Sequence, residues 1–269
     1  MTEGLIVLTV AIFLFFCWKW VFASKKETLS VLTPTPEEWK QILQEEVAFY
    51  QQLSQKNKKQ FENDVMEFLH DVQVVGVDTE VEDLDLMLVA SSAVIPMFAF
   101  PKWKYRDLKE VLLYSNSFNR NFETDGDERT IAGMVGNGYM RNSLLLSKRS
   151  LREGFRNKTS KNNVGIHEFI HLIDREDGSV DGIPEILLQH QYVLPWVEHI
   201  RQGITAIVAS ESDINPYGAT NTAEFFSVAS EYFFKRPKLF RKKHPELYRL
   251  MKLAFQQNPA VQTHQSKSA

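Results

Sequence analysis

The sequence predicts an α+β fold, one domain of helices around a small mixed sheet, preceded by an N-terminal transmembrane helix. Three observations predict it. Apolar residues recur at helical spacing in several segments, with short strand-like runs such as VQVVGV and EVLLYS between them. Two apolar runs flank Gly136-Asn137-Gly138, the signature of a β-hairpin. Residues 4 to 23, GLIVLTVAIFLFFCWKWVFA, are apolar except for Thr9 and Lys19, and about 20 helical residues cross a bilayer core.

That apolar segment defines an anchor over residues 1–24. Glu3 precedes it, Lys19, Lys25 and Lys26 lie at or after its end, and Trp18 and Trp20 suit the interfacial belt. The bias places the following domain in the cytoplasm, attached to the membrane by a single span. A cleaved signal peptide is the rival, but it calls for a positive N-terminal region that this chain lacks.

A polar linker, 25–35, leads to a helix start at which Thr35 is the expected cap, Pro36 the first helical residue and Glu38 the partner in a capping box. The domain spans 36–258. Trp39 to about Gln55 and Phe61 to Leu69 read as two helices, 72–77 as a strand, and 83–95 as a helix stopped by Pro96. Residues 110–115 read as a strand, and the hairpin puts an edge near Leu144 to Ser147 that suits strand addition by an extended peptide. Helices follow near 164–175, 185–206 and 221–234, and a polar tail over 259–269 reads as loose.

Composition excludes several classes. Of 269 residues, 43% are hydrophobic and 24% charged, an ordinary globular balance, and the net charge of -3 gives no footprint for nucleic acid. The single cysteine, Cys17, excludes an intrachain disulfide framework. The basic run KRPKLFRKK at 235–243 reads as a solvated face, with anionic lipid as the alternative.

Chemistry concentrates in VGIHEFIHLIDREDG, residues 164–178. Its apolar residues would bury a helix on most sides, and buried polar side chains need partners. His167 and His171 stand four apart, on one face, with Glu168 turned aside by about 100°. This HExxH pattern suits one zinc ion held by two neutral imidazoles, with the glutamate reaching the metal's water as general base. A third ligand is required, and HLIDREDGSVDG offers no further histidine. Glu224 and Glu231, seven apart in an apolar helix, are the acidic candidates, and spacing does not choose between them. Glu224 has a competing duty, as the N3 residue of a helix capped by Asn221. Asp174, three residues after His171, is placed to orient an imidazole, or to bond locally at the helix end. Glu231 reads either as a support for the metal site or as a structural ion pair.

HEFIHLID, then YGATNTAEFFSVASEYFF and a downstream PKLF, resemble the Mlc titration factor A family of zinc-dependent peptidases, from about Trp39 to Pro259. The resemblance implies a zincin-like metallopeptidase domain and Glu224 as third ligand. It further implies that Tyr217 polarises the substrate carbonyl or holds the developing oxyanion. Thr222 stands where the family has proline, and Gly218 shifts the small residue beside Tyr217. The implied activity is hydrolysis of peptide or protein substrates, of aminopeptidase type. The family name implies the alternative, a protein that sequesters a regulatory partner such as a transcriptional repressor.

Overall fold

The computed structural model describes residues 34–119, 130–136 and 138–261. The expected anchor at 4–23 and the last residues of the tail lie outside these, and among the described residues no helix is long and apolar enough to cross a membrane.

The described residues open with α1 (Glu37–Glu46), the single turn α2 (Ala48–Gln51) and α3 (Gln55–Asp71). Thr35 does not cap α1. The helix starts one residue later, with Pro36 as its boundary and no side-chain cap bond, while Thr35 is buried. Ser54 does cap α3, its Oγ accepting from Asn57 N–H at 3.3 Å.

Strand β1 (Gln73–Val77) leads into α4 (Asp83–Met97), a helix buried along almost its whole length. Pro96 does not stop α4. It falls in the last turn, where little helix remains to be broken, and the carbonyls left unpaired at that end, Ile95 and Pro96, each accept from Gln257 Nε2 at 2.9 Å. At the other end Glu82 and Asp85 form a capping box, and Arg152 grips the buried Asp85 carboxylate at 2.7 and 3.0 Å.

Strands β2 (Glu110–Tyr114), β3 (Gly133–Val135) and β4 (Ser143–Ser147) complete a sheet of order β1-β2-β4-β3. β1, β2 and β4 run parallel, and β3 is antiparallel to β4. All five residues of β4 are buried, the pattern of a strand covered on both faces. The hairpin is therefore real, with a one-turn 3-10 helix in its connection. Its edge is misplaced in the sequence reading: 144–147 is held on both sides by β2 and β3, and among the described residues the sheet ends at Gly133–Val135. The run LLLS that suggested an edge is apolar because it is central.

Five helices follow: α5 (Lys148–Arg156), α6 (Val164–Asp174), α7 (His190–Val208), α8 (Thr222–Lys235) and α9 (Pro237–Lys243), then α10 (Pro245–Ala254). The basic run divides. Lys235 and Arg236 turn inward onto the carbonyls of Gly154, Asn157 and Thr159, and Lys238, Arg241, Lys242 and Lys243 are exposed. The chain stays held past Asn258, since Tyr248 Oη donates to Asn258 Oδ1 at 2.7 Å and accepts from Ala260 N–H at 3.1 Å.

α6 lies at the centre, packed against α4, α8 and β3. Its close approach to α4 is set by glycine: a Cβ at Gly165 would fall 2.1 Å from Ser92 Oγ and 2.8 Å from Ser92 Cβ. The loop before α8 is tied down by Asp213, whose carboxylate accepts from Tyr232 Oη at 2.9 Å and Lys161 Nζ at 2.9 Å and meets His244 Nε2 at 2.7 Å. Burial pushes this carboxyl up, but the three donors outweigh it and hold its pKa far below the carboxylate range.

Gly165→Ala is expected to destabilise the fold by about 1–3 kcal/mol through overpacking, read by urea denaturation, with partial recovery when Ser92→Gly is added. The Asp213 contribution is present above the unfolded carboxyl pKa, near pH ~4, and is lost as pH falls towards the lower folded value. Asp213→Asn should thus lower stability at neutral pH and flatten the acid limb of a melting-temperature against pH profile.

Candidate metal and peptidase site

Two helices built for burial carry the site. α6 starts at Asn163, whose Oδ1 accepts from Ile166 N–H at 3.0 Å, and its rear face is sealed by Phe169 against Phe68 and Tyr105. α8 starts at Asn221, whose Oδ1 accepts from Glu224 N–H at 2.9 Å. Its Phe225, Phe226 and Phe233 are fully buried. Glu224, Ser227 and Glu231 occupy one stripe at i, i+3 and i+7 and face α6. Asn221 thus caps α8 as expected, but the Glu224 carboxylate turns to the histidines.

The structure brings together His167, His171 and Glu224, with one candidate ligand atom from each lying within 4.8 Å of the others. His167 Nε2 and His171 Nε2 are 3.2 Å apart, and Glu224 Oε2 lies 3.0 Å from the first and 3.4 Å from the second. Two donors on one tetrahedral zinc, each ~2.1 Å from it, are ~3.3 Å apart. The three separations therefore fit one small cation, and the donor set of two imidazoles and a carboxylate has the chemistry of a zinc site with an open position. Electrostatics point the same way. Burial disfavours charge on His167, yet Glu224 and Glu231 outweigh it and raise its pKa well above the ordinary value, so the pocket favours a positive charge here. Glu224 is held down to about 2: burial opposes this, and the two imidazoles prevail.

Glu231 sits behind this group. Its Oε1 is 2.8 Å from His167 Nδ1 and its Oε2 accepts from Asn163 N–H at the start of α6. One carboxylate thus orients an imidazole and fixes the helix that carries it. Asp174 does not share that duty: its Oδ2 accepts from Gly182 N–H at 2.8 Å, closing the loop after α6. It stands in the last helical turn, where the next segment offers a nearer donor than the imidazole. Burial raises its pKa to about 6.

Glu168 is buried beside the histidines, and burial raises its pKa. The edge strand runs directly against it, since a Cβ at Gly133 would fall 2.6 Å from Glu168 Cγ and 2.7 Å from Oε1. Tyr217 lies in a 3-10 turn, Pro216–Ala219, with its N–H donating to Asn215 Oδ1 at 3.0 Å. The residue is 54% exposed, and its ring centroid is 6.0 Å from that of His167. Burial raises the phenol's pKa, and the charges of Glu224 and Glu168 add to this, so it keeps its proton and can donate. Gly218 lets this turn press on α8, because a Cβ there would meet Val228 Cγ2 at 2.6 Å.

Two residues of the site were not foreseen. Ser227 Oγ lies 3.3 Å from His171 Nδ1, and the i, i+3, i+7 stripe on α8 was the signal that could have found it. Gly133 carries no signal in the local pattern, because its constraint is a contact with a helix 35 residues away in sequence.

A 26% identical relative in Synechocystis sp., the uncharacterized protein slr2042, aligns over 239 residues, 85% of this chain and 86% of its own. The protein called Mlc titration factor A in Escherichia fergusonii is 31% identical over 169 residues, 58% of this chain and 62% of its own. Its counterpart of the same name in Cronobacter sakazakii is 26% identical over 269 residues, covering 91% and 96%. These relatives uphold the resemblance read from the two motif blocks. The family model of the glucose-regulated metallo-peptidase M90 matches residues 21–256, and with nearly the whole described domain inside that match, the chain belongs to this metallopeptidase family.

Proposed function

We propose that the protein is a zinc-dependent peptidase with His167, His171 and Glu224 as the ligands and Glu168 as the general base. The observation that carries this reading is the convergence of three donor atoms beside a buried glutamate that forms no ion pair among the described residues. When bound, zinc supplies a Lewis acid at an open position and lowers the pKa of water there to about 7. Glu168 removes the proton from the attacking water and returns it to the leaving amine, and the raised pKa given by burial suits both transfers. Tyr217 donates a hydrogen bond from its hydroxyl to the carbonyl oxygen as negative charge develops, keeping its proton. Glu231 holds His167 by its Nδ1, and Ser227 meets His171 from the opposite helix. An extended peptide would run along Gly133–Val135, the strand that touches Glu168.

The aminopeptidase type rests on the family resemblance, and cleavage of free against N-acetylated peptides tests it. Residues 1–24 are proposed to anchor the domain on the cytoplasmic side of the membrane. A second reading, capture of a regulatory protein, is favoured by the name of the relatives and by exposed apolar side chains on α7, with Leu194 80% exposed.

Glu168→Gln in the full chain should lower kcat about 10²–10⁴-fold while the zinc content stays at one ion; retained turnover would remove Glu168 as the base. Capture of a partner by that inactive variant would support the second reading. Glu231→Gln should weaken zinc binding about 10–100-fold in a chelator competition, whereas Glu224→Ala should abolish stoichiometric zinc.

A further inference from the structure

Beside the α6–α8 pair lies a polar cleft of ≈ 590 Å³, within the range of roughly 300–1,000 Å³ common to ligand sites. Three of its lining residues stand one step from the candidate site. Ala132 precedes Gly133, the residue that lies on Glu168. Val164 opens α6, with its Cγ2 2.8 Å from where a Gly133 Cβ would sit. Asn162 accepts a hydrogen bond from Asn215 Nδ2 at 3.3 Å, and Asn215 in turn holds the backbone of Tyr217. The cleft therefore continues the site past the edge strand on one side and the Tyr217 turn on the other.

Its charge is uneven. On α5, Lys148 and Arg152 are both committed to Glu82 and Asp85 on the side of α4. Arg149 points instead to the cleft, is exposed, and makes no ion pair or hydrogen bond among the described residues. The cleft wall carries one acid, Glu153, a turn further along α5, and among the described residues it makes no ion pair with Arg149. The guanidinium therefore keeps its donors free, and its planar fork matches a carboxylate.

We propose that this cleft is the substrate subsite adjoining the scissile bond and that Arg149 selects a peptide bearing a carboxylate there. The inference rests on the peptidase reading. It names the substrate class as acidic at one subsite, from an Asp or Glu side chain or from the peptide's own C-terminus.

The test uses the full-length zinc-loaded protein and two matched peptide sets. One set places Glu or Gln at successive positions around the cleaved bond, and the other ends in a free carboxylate or an amide. The wild type should prefer the acid by about tenfold in kcat/KM at one position, and the set in which this occurs identifies the source of the carboxylate. Arg149→Gln should bring that ratio close to one, Arg149→Lys should retain part of it, and added salt should shrink it. A wild type indifferent to the carboxylate in both sets, or a preference that survives in Arg149→Gln, overturns the proposal. If no peptide is cleaved, the peptidase reading fails separately, and fluorescence anisotropy of the same labelled peptides still decides whether Arg149 discriminates acid from amide.

Discussion

The structure depends on how two helices with aromatic and aliphatic faces satisfy the few polar groups they bury. Along the α6–α8 contact, two imidazoles meet two carboxylates and a serine, each within hydrogen-bond distance of a group on the other helix. Neither helix could bury its stripe alone, because an unpaired carboxylate or imidazole in such surroundings costs several kilocalories. The partnership makes burial tolerable, and the same geometry leaves one point at which three donor atoms converge. Structural need and metal affinity are one arrangement seen in two ways.

The rest of the domain holds that contact in register. Glycines at 133, 165 and 218 let β3, α4 and the Tyr217 turn come closer to α6 and α8 than any side chain would allow. Asp85 with Arg152, and Asp213 with Lys161, Tyr232 and His244, fix the neighbouring segments through charged hydrogen bonds, so the loops beside the site are fastened at their ends. The Glu168 side chain is thereby confined between a helix and a strand backbone, with little freedom to leave its place beside the histidines.

Much of this was legible in the sequence, and the reasons are local. The α6 motif announces itself because its histidines and glutamate break an apolar pattern, and α8 does so because Glu224 and Glu231 break another. The choice of Glu224 for the ligand group came from the family resemblance, since both glutamates share a face and only the tertiary position of α6 separates them. For Asp174 both an imidazole partner and a local bond stayed open, because helical spacing says which face a residue occupies, not which donor is nearest. The edge expected near Leu144 to Ser147 was misplaced for a similar reason: LLLS shows that a strand is apolar, but its being central depends on β2, more than thirty residues earlier. Thr35 and Pro96 show that capping and stop signals set boundaries only to within a residue or two.

The imidazole of His167 and the carboxylate of Glu224 are 57 positions apart along the chain. A polypeptide emerging from the ribosome therefore exposes the histidine pair well before the acid that completes the grip has been translated. Gln257, which closes the end of α4, arrives later still. The three donor groups therefore cannot meet until α8 has been made and packed on α6, so the centre is a product of tertiary contact and not of the histidine helix alone.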